Sequence, residues 1–171
     1  MNIVAIDPSY TRTGVAALVS GEYKYDSFSY PGSCYSNISD NHEACRSLCT
    51  SLSQFLEELS EYEVIIEYPA LATRSGAYLG ILNGYLASFF QNDSRCTKIT
   101  WIPPTACNSY ISNKIKTKSY IVKWSRMNIL DERYNHDIAT ALIFIKLLQS
   151  IKRKEYKNSY FVTIKDKLRH G

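Results

Sequence analysis

The 171-residue chain has no apolar run that approaches the roughly 18 residues needed to cross a bilayer. No leader-like segment precedes its first apolar stretch. It has no CxxC pair, and its five cysteines are an odd number, so a disulfide framework is not indicated. These absences together predict a cytoplasmic protein with no membrane association. No linker, internal repeat or low-complexity tract interrupts it. The expectation is one domain over residues 1–150, followed by a basic tail over 151–171. A zinc site built from His42, Cys45 and Cys49 would need a fourth ligand that is not evident. Small apolar core residues account for the cysteines instead.

Acids are scarce in the C-terminal third. Residues 1–113 carry 6 Lys+Arg and 11 Asp+Glu, a balance of −5, whereas residues 114–171 carry 14 and 5, a balance of +9. Lys114, Lys116, Lys118, Lys123 and Arg126 have no acid among them and are interleaved with Tyr120 and Trp124, with Tyr110 shortly before. That pattern suits a nucleic-acid backbone with nearby bases to stack on. The second cluster, from Lys152 to Arg169, fits a polyanion or a plain solvated surface equally well.

Periodicity supplies the element order. Ile3–Ile6 reads as a buried strand, and Gly14–Val19 and Tyr23–Tyr30 alternate around Ser20-Gly21-Glu22, giving an antiparallel meander. Asp40 and Glu43 stand at capping-box spacing before a helical face that runs from Ala44 to Leu59. A short buried strand, Glu63–Glu67, a helix over 75–91 and a strand over Thr97–Ile102 follow. Pro103-Pro104-Thr105 marks another helix start, a basic helical region spans Lys114–Met127, and a last helix covers Asn135–Ser150. The class expected is α+β (α/β), with a central mixed β-sheet of about five strands flanked by helices.

Three carboxylates sit where burial would be costly. Asp7 ends the first strand, Glu67 closes Val64-Ile65-Ile66, and Asp137 opens the long apolar stretch to Leu148. Like charges held close disfavour ionisation, so a converging set calls for a cation. Oxygen ligands favour Mg²⁺ or Mn²⁺ over zinc, and such sites most often serve phosphoryl transfer or phosphodiester cleavage.

Ile6-Asp7-Pro8-Ser9 with Thr13-Gly14, Ile65-Ile66-Glu67, and Asp137-Ile-Ala-Thr-Ala-Leu142 occur in this order within about 150 residues. In that order they resemble the three motifs of the RuvC-like Holliday junction resolvases, ribonuclease H-like nucleases with phage and viral members. The resemblance implies a ribonuclease H-like fold and an endonuclease that cuts four-way DNA junctions as a homodimer, in DNA recombination, repair or viral genome processing. It also implies two Mg²⁺ (or Mn²⁺) ions per active site, no nucleotide cofactor, and, for a viral member, the host cytoplasm. Asp7 matches the bridging carboxylate, Glu67 the second ligand and Asp137 the first acid of the final helix.

The chain departs from the pattern at Thr140, where many members carry a further acid. His136, Asp131 and Glu132 are nearby substitutes, and Thr140 itself can hold a metal-bound water. By the same resemblance, Tyr68 and Arg74 beside Glu67 face the junction as a stacking wedge and a phosphate contact. Lys114, Lys116, Lys118, Lys123 and Arg126 would track the arms. Gly76, Gly80, Gly84 and Ser88 recur every fourth residue, a stripe for close packing on the sheet or against a second copy. Thr140 leaves a catalytically impaired branched-DNA-binding protein as the alternative. An actin-like phosphotransferase would need a second phosphate loop and a duplicated domain, for which the chain has no room.

Overall fold

The computed structural model describes residues 1–9, 11–29, 38–68, 76–112, 117–153 and 162–164. The chain opens with β1 (Asn2–Asp7), β2 (Arg12–Val19) and β3 (Glu22–Ser29), the expected meander. Ser20 and Gly21 join β2 to β3 with φ values of 52° and 93°. Two successive positive φ values match the right-handed twist of the strands they connect, and glycine takes the second without strain.

Next come α1 (Ile38–Phe55), β4 (Tyr62–Glu67), α2 (Gly76–Asn92), β5 (Cys96–Ile102) and the short α3 (Ala106–Ile111). The chain then runs through α4 (Lys118–Asn128), α5 (His136–Lys152) and β6 (Val162–Ile164). Two boundaries differ from expectation. Helix α1 starts at Ile38, so Asp40 lies in its first turn and does not cap it. Helix α4 starts at Lys118, where the Thr117 hydroxyl accepts a hydrogen bond from the Tyr120 amide at 3.3 Å.

The strands form one mixed sheet in the order β3-β2-β1-β4-β5-β6. β1 pairs in parallel with β4, and β4 with β5, while the outer pairings are antiparallel. The sixth strand comes from the stretch read as a basic tail; three residues among lysines are too few to show an alternation. Lys152, assigned to that tail's charge, ends α5 and meets Glu63 of β4 at 2.6 Å.

Each face of the sheet is covered, because β1, β2 and β4 are apolar on both sides. Val4, Ile6, Val15, Val64 and Ile66 pack under α1 and α2, against Leu48, Leu52, Leu82, Leu86 and Phe90. Ile3, Ala5, Ala16 and Ile65 point the other way, toward Ile138, Leu142, Ile145 and Leu148 of α5. The period-two alternation of β1 thus feeds two separate cores. Helix α5 lies over β1 and β2 with α3 and α4 against it, so ten of its residues are buried and it is apolar on most sides.

Cys45 is fully buried among the leucines, and His42 Nδ1 lies 2.6 Å from the Tyr85 hydroxyl, so these two are spent on packing and on joining α1 to α2. Gly80 and Gly84 of the glycine stripe do not pack on the sheet. A Cβ added at Gly80 or Gly84 would meet nothing within 4 Å, which removes the intramolecular reason for it. Among the described residues, no helix is long and apolar enough to cross a membrane.

Candidate metal centre

β1 and β4 run in parallel and in register from Asn2 opposite Tyr62 to Ile6 opposite Ile66, and each ends one residue later in a carboxylate. Asp7 and Glu67 therefore stand side by side at the same sheet edge, about one strand spacing of 4.8 Å apart along the backbone. Their carboxyl groups are placed to hydrogen-bond to each other when one of them carries a proton. Burial first, and then the charge and hydrogen bond of Glu67, push the Asp7 carboxyl well above its ordinary range; the Asp137 charge adds to this and His136 opposes it. Burial likewise pushes Glu67 up to about 7, although the hydrogen bond from Asp7 works against the rise.

Asp137 reaches the pair because of a glycine. Gly14 of β2 is the antiparallel partner of Asp7. A Cβ at Gly14 would lie 2.3 Å from both the carbonyl carbon and oxygen of Asp137. No side chain fits there, so only glycine lets the first turn of α5 descend onto the strand. Asn135 caps that turn, its side-chain oxygen accepting from the Ile138 amide at 2.9 Å while its Nδ2 donates to Ser27 Oγ at 3.1 Å. With Asn135 in the cap position, the Asp137 carboxylate is left for other partners.

Asp137 is 16 % exposed and meets Arg12 Nε at 2.7 Å through Oδ2 and His136 Nδ1 at 3.5 Å through Oδ1. Burial alone would raise its pKa, but His136 and Arg12 outweigh that and hold the carboxyl below its ordinary range. One ligand atom from each of Asp7, His136 and Asp137 lies within 4.8 Å of the others. His136 Nδ1 is buried, and among the described residues its polar contact is the 3.5 Å approach to Asp137 Oδ1. Two carboxylates and a buried imidazole in loose contact with one of them make the donor set of a hard or borderline divalent cation. The residues present thus fit a metal ion; Glu67, expected as a second ligand, stands beside Asp7 but outside this group of three.

The other substitutes for the missing acid are engaged elsewhere. The Thr140 hydroxyl is buried and donates to the His136 carbonyl oxygen at 3.0 Å. Glu132 accepts from the Tyr25 hydroxyl, whose own pKa is pushed up to about 12 by that bond, and Asp131 pairs with Arg126 at 3.1 Å. Two residues were not weighed as site residues from sequence, Arg12 and Cys107. Cys107 of α3 is close enough to feel both acids; burial, then the charges of Asp7 and Glu67, push its thiol up to about 12.

The residues expected to contact nucleic acid are less gathered. Tyr68 follows Glu67 and is 46 % exposed, so it is not core. Lys118 and Lys123 are exposed on α4, and Arg126 is partly engaged by Asp131. Trp124 packs edge-on against Tyr110 at 5.9 Å, leaving Tyr120 as the exposed aromatic of the helix. Arg74, Lys114 and Lys116 lie outside the described residues.

No protein-family model and no curated protein matches the chain. Solved structures do. A structure of T. thermophilus RuvC in complex with a Holliday junction substrate superposes with a TM-score of 0.67 at 14 % identity, over 90 % of this chain and 96 % of that one. A structure of Thermus thermophilus RuvC gives 0.65 at 12 % identity, over 89 % and 97 %. The chain has the ribonuclease H-like α/β fold of RuvC, with its mixed sheet flanked by helices.

Gly14→Ala should cost about 1–3 kcal/mol of stability in chemical denaturation, because the backbone of α5 must lift off β2. It should also weaken Mn²⁺ binding in calorimetry by displacing Asp137; a variant matching wild type in both would show that the helix does not need this approach.

Asp7 and Glu67 titrate above their unfolded values, so the stability they contribute is complete below about pH 4; the Glu67 part is lost as pH rises through about 7, and Asp7 adds a loss in the same direction. Asp137 is shifted down, so its contribution is already complete above about pH 4 and does not offset that loss. Thermal unfolding of the metal-free protein should therefore show stability falling between about pH 5 and about pH 8. Mn²⁺ should flatten the fall, and Glu67→Gln should remove much of it.

Proposed function

We propose that the protein is a metal-dependent, structure-selective DNA endonuclease that resolves four-way (Holliday) junctions by phosphodiester hydrolysis, in DNA recombination or repair. The observation that carries this reading is the meeting of Asp7, His136 and Asp137 within 4.8 Å, with Glu67 bonded to Asp7, on the fold of RuvC. The T. thermophilus neighbour holds a Holliday junction substrate, which supports the substrate class.

Asp7, Glu67, His136 and Asp137 are the residues that would hold Mg²⁺ or Mn²⁺, two ions per site by the resemblance to the resolvases. When bound, such ions neutralise the phosphodiester, activate a water for in-line attack and stabilise the leaving oxygen. The chain's own contribution is position. Asp7 and Glu67 are fixed by two paired strands, and Asp137 and His136 by a capped helix that Gly14 admits to the sheet. Ligands set on paired strands and a capped helix hold their geometry better than ligands on loops. Tyr68, exposed beside Glu67, is placed to stack on a base; Lys118 and Lys123 would meet phosphates and so set register without reading sequence.

Paired cuts across a junction need two sites, and we assign the second copy to the exposed side of α2. Gly80 and Gly84 leave open space there, flanked by partly buried Ile81, Tyr85 and Phe89. That surface has room for another backbone.

Cleavage of four-way DNA in Mg²⁺ or Mn²⁺ tests the reading. Asp7→Asn and Glu67→Gln should abolish cutting and leave junction affinity within a few fold, since affinity comes chiefly from cations and counterion release. His136→Ala should lose orders of magnitude in rate, and Thr140→Ala little, because its hydroxyl already donates within the helix. Wild-type cutting by Asp7→Asn would remove the site assignment. Tight junction binding by a wild type that never cuts would favour the non-catalytic alternative instead.

A further inference from the structure

We propose that Arg12 is a positioning cation of this site. Asp137 holds it in the metal-free protein, and a divalent ion taken up by Asp137 releases it to a non-bridging oxygen of the scissile phosphodiester. The proposal rests on the metal-centre and nuclease readings above.

Arg12 opens β2, two residues before Gly14, so its side chain leaves the strand on the face over which Asp137 lies. Its Nε donates to Asp137 Oδ2 at 2.7 Å. The Arg12 side chain is 46 % exposed against 16 % for Asp137, so the guanidinium sits at the rim of the site and bonds inward. Its Nη1 and Nη2 make no hydrogen bond among the described residues. A guanidinium presents five N–H donors in a planar fork that matches a phosphate or carboxylate edge. Among the described residues a single donor of that fork is used, and the side chain is 46 % exposed.

Arg12 and a metal ion compete for the charge of Asp137. Asp137 offers two oxygens, one on Arg12 and one facing His136. An ion held between Asp7 and Asp137 takes one of them and repels a guanidinium a few ångströms away. In the metal-free protein Arg12 therefore substitutes for part of the missing charge among three acids. With an ion in place, the nearest anion open to its fork is the phosphodiester itself.

The test compares wild type with Arg12→Gln and Arg12→Lys, each checked for folding by circular dichroism. Mn²⁺ affinity is measured on the free protein by calorimetry, and the single-turnover rate on a four-way junction at saturating Mn²⁺. Arg12→Gln should bind Mn²⁺ about two- to fivefold more tightly, the range expected for a half-exposed pair, and yet cut more slowly. Arg12→Lys should keep wild-type Mn²⁺ affinity, because its charge still opposes the ion, but restore only part of the rate, because it lacks the fork. Unchanged or weaker Mn²⁺ binding by Arg12→Gln overturns the competition. An unchanged rate at saturating Mn²⁺ overturns the phosphate contact. If wild type itself binds no Mn²⁺, the metal reading fails and this proposal falls with it.

Discussion

Two carboxylates at the ends of neighbouring parallel strands cannot both be ionised in a largely water-excluded site unless positive charge accompanies them. The arrangement around Asp7 and Glu67 follows from that constraint. Without a metal, burial pushes both titrations up, and the Glu67 charge pushes Asp7 further in the same direction. Asp137, brought in by a different element, keeps its charge because Arg12 and His136 stand against it. A fold needing only stability would place hydrophobic groups at these strand ends, since replacing buried charge with well-packed apolar groups is often neutral or favourable. The cost is intelligible if a cation binds there.

The same site shows how one backbone detail sets a chemical one. Gly14 is at once the ladder partner of Asp7 and the floor beneath Asp137, so the distance between two acids 130 positions apart depends on one absent Cβ. Asn135 then takes the capping duty that Asp137 would otherwise perform, and ties the helix start to Ser27 of β3. Position 140, occupied by a neutral residue, has its hydroxyl turned back into the helix. The buried ring nitrogen that approaches Asp137 belongs to His136, the first residue of that helix.

Much of this was legible in the sequence. The meander, the buried strand ending in Glu67 and the long apolar helix were each marked by periodicity and turn residues strong enough to fix their order. The approach of Glu67 and of Asp137 to Asp7 was readable from strand ends and a helix start. The sixth strand was not, because Val162–Ile164 is too short to show an alternation. Nor was the Arg12 contact: nothing local at residue 12 says that residue 137 will lie 2.7 Å away. The choice between His136 and Thr140 turned on where α5 begins, and a boundary uncertain by one residue moves a side chain about 100° around the helix axis. The outward face of Gly80 and Gly84 was equally hidden, since a small-residue stripe reads the same whether it meets its own sheet or another molecule.

The central claim is that Asp7, Glu67, His136 and Asp137 form a divalent metal centre. Crystals equilibrated with Mn²⁺ and measured for anomalous scattering test it most directly. The account requires density within about 2.0–2.6 Å of Asp7 and Asp137 oxygens, with His136 turned onto it and the bond between Asp7 and Glu67 broken. An empty map at this position, with Asp7 still bonded to Glu67 and Arg12 still on Asp137, would contradict it.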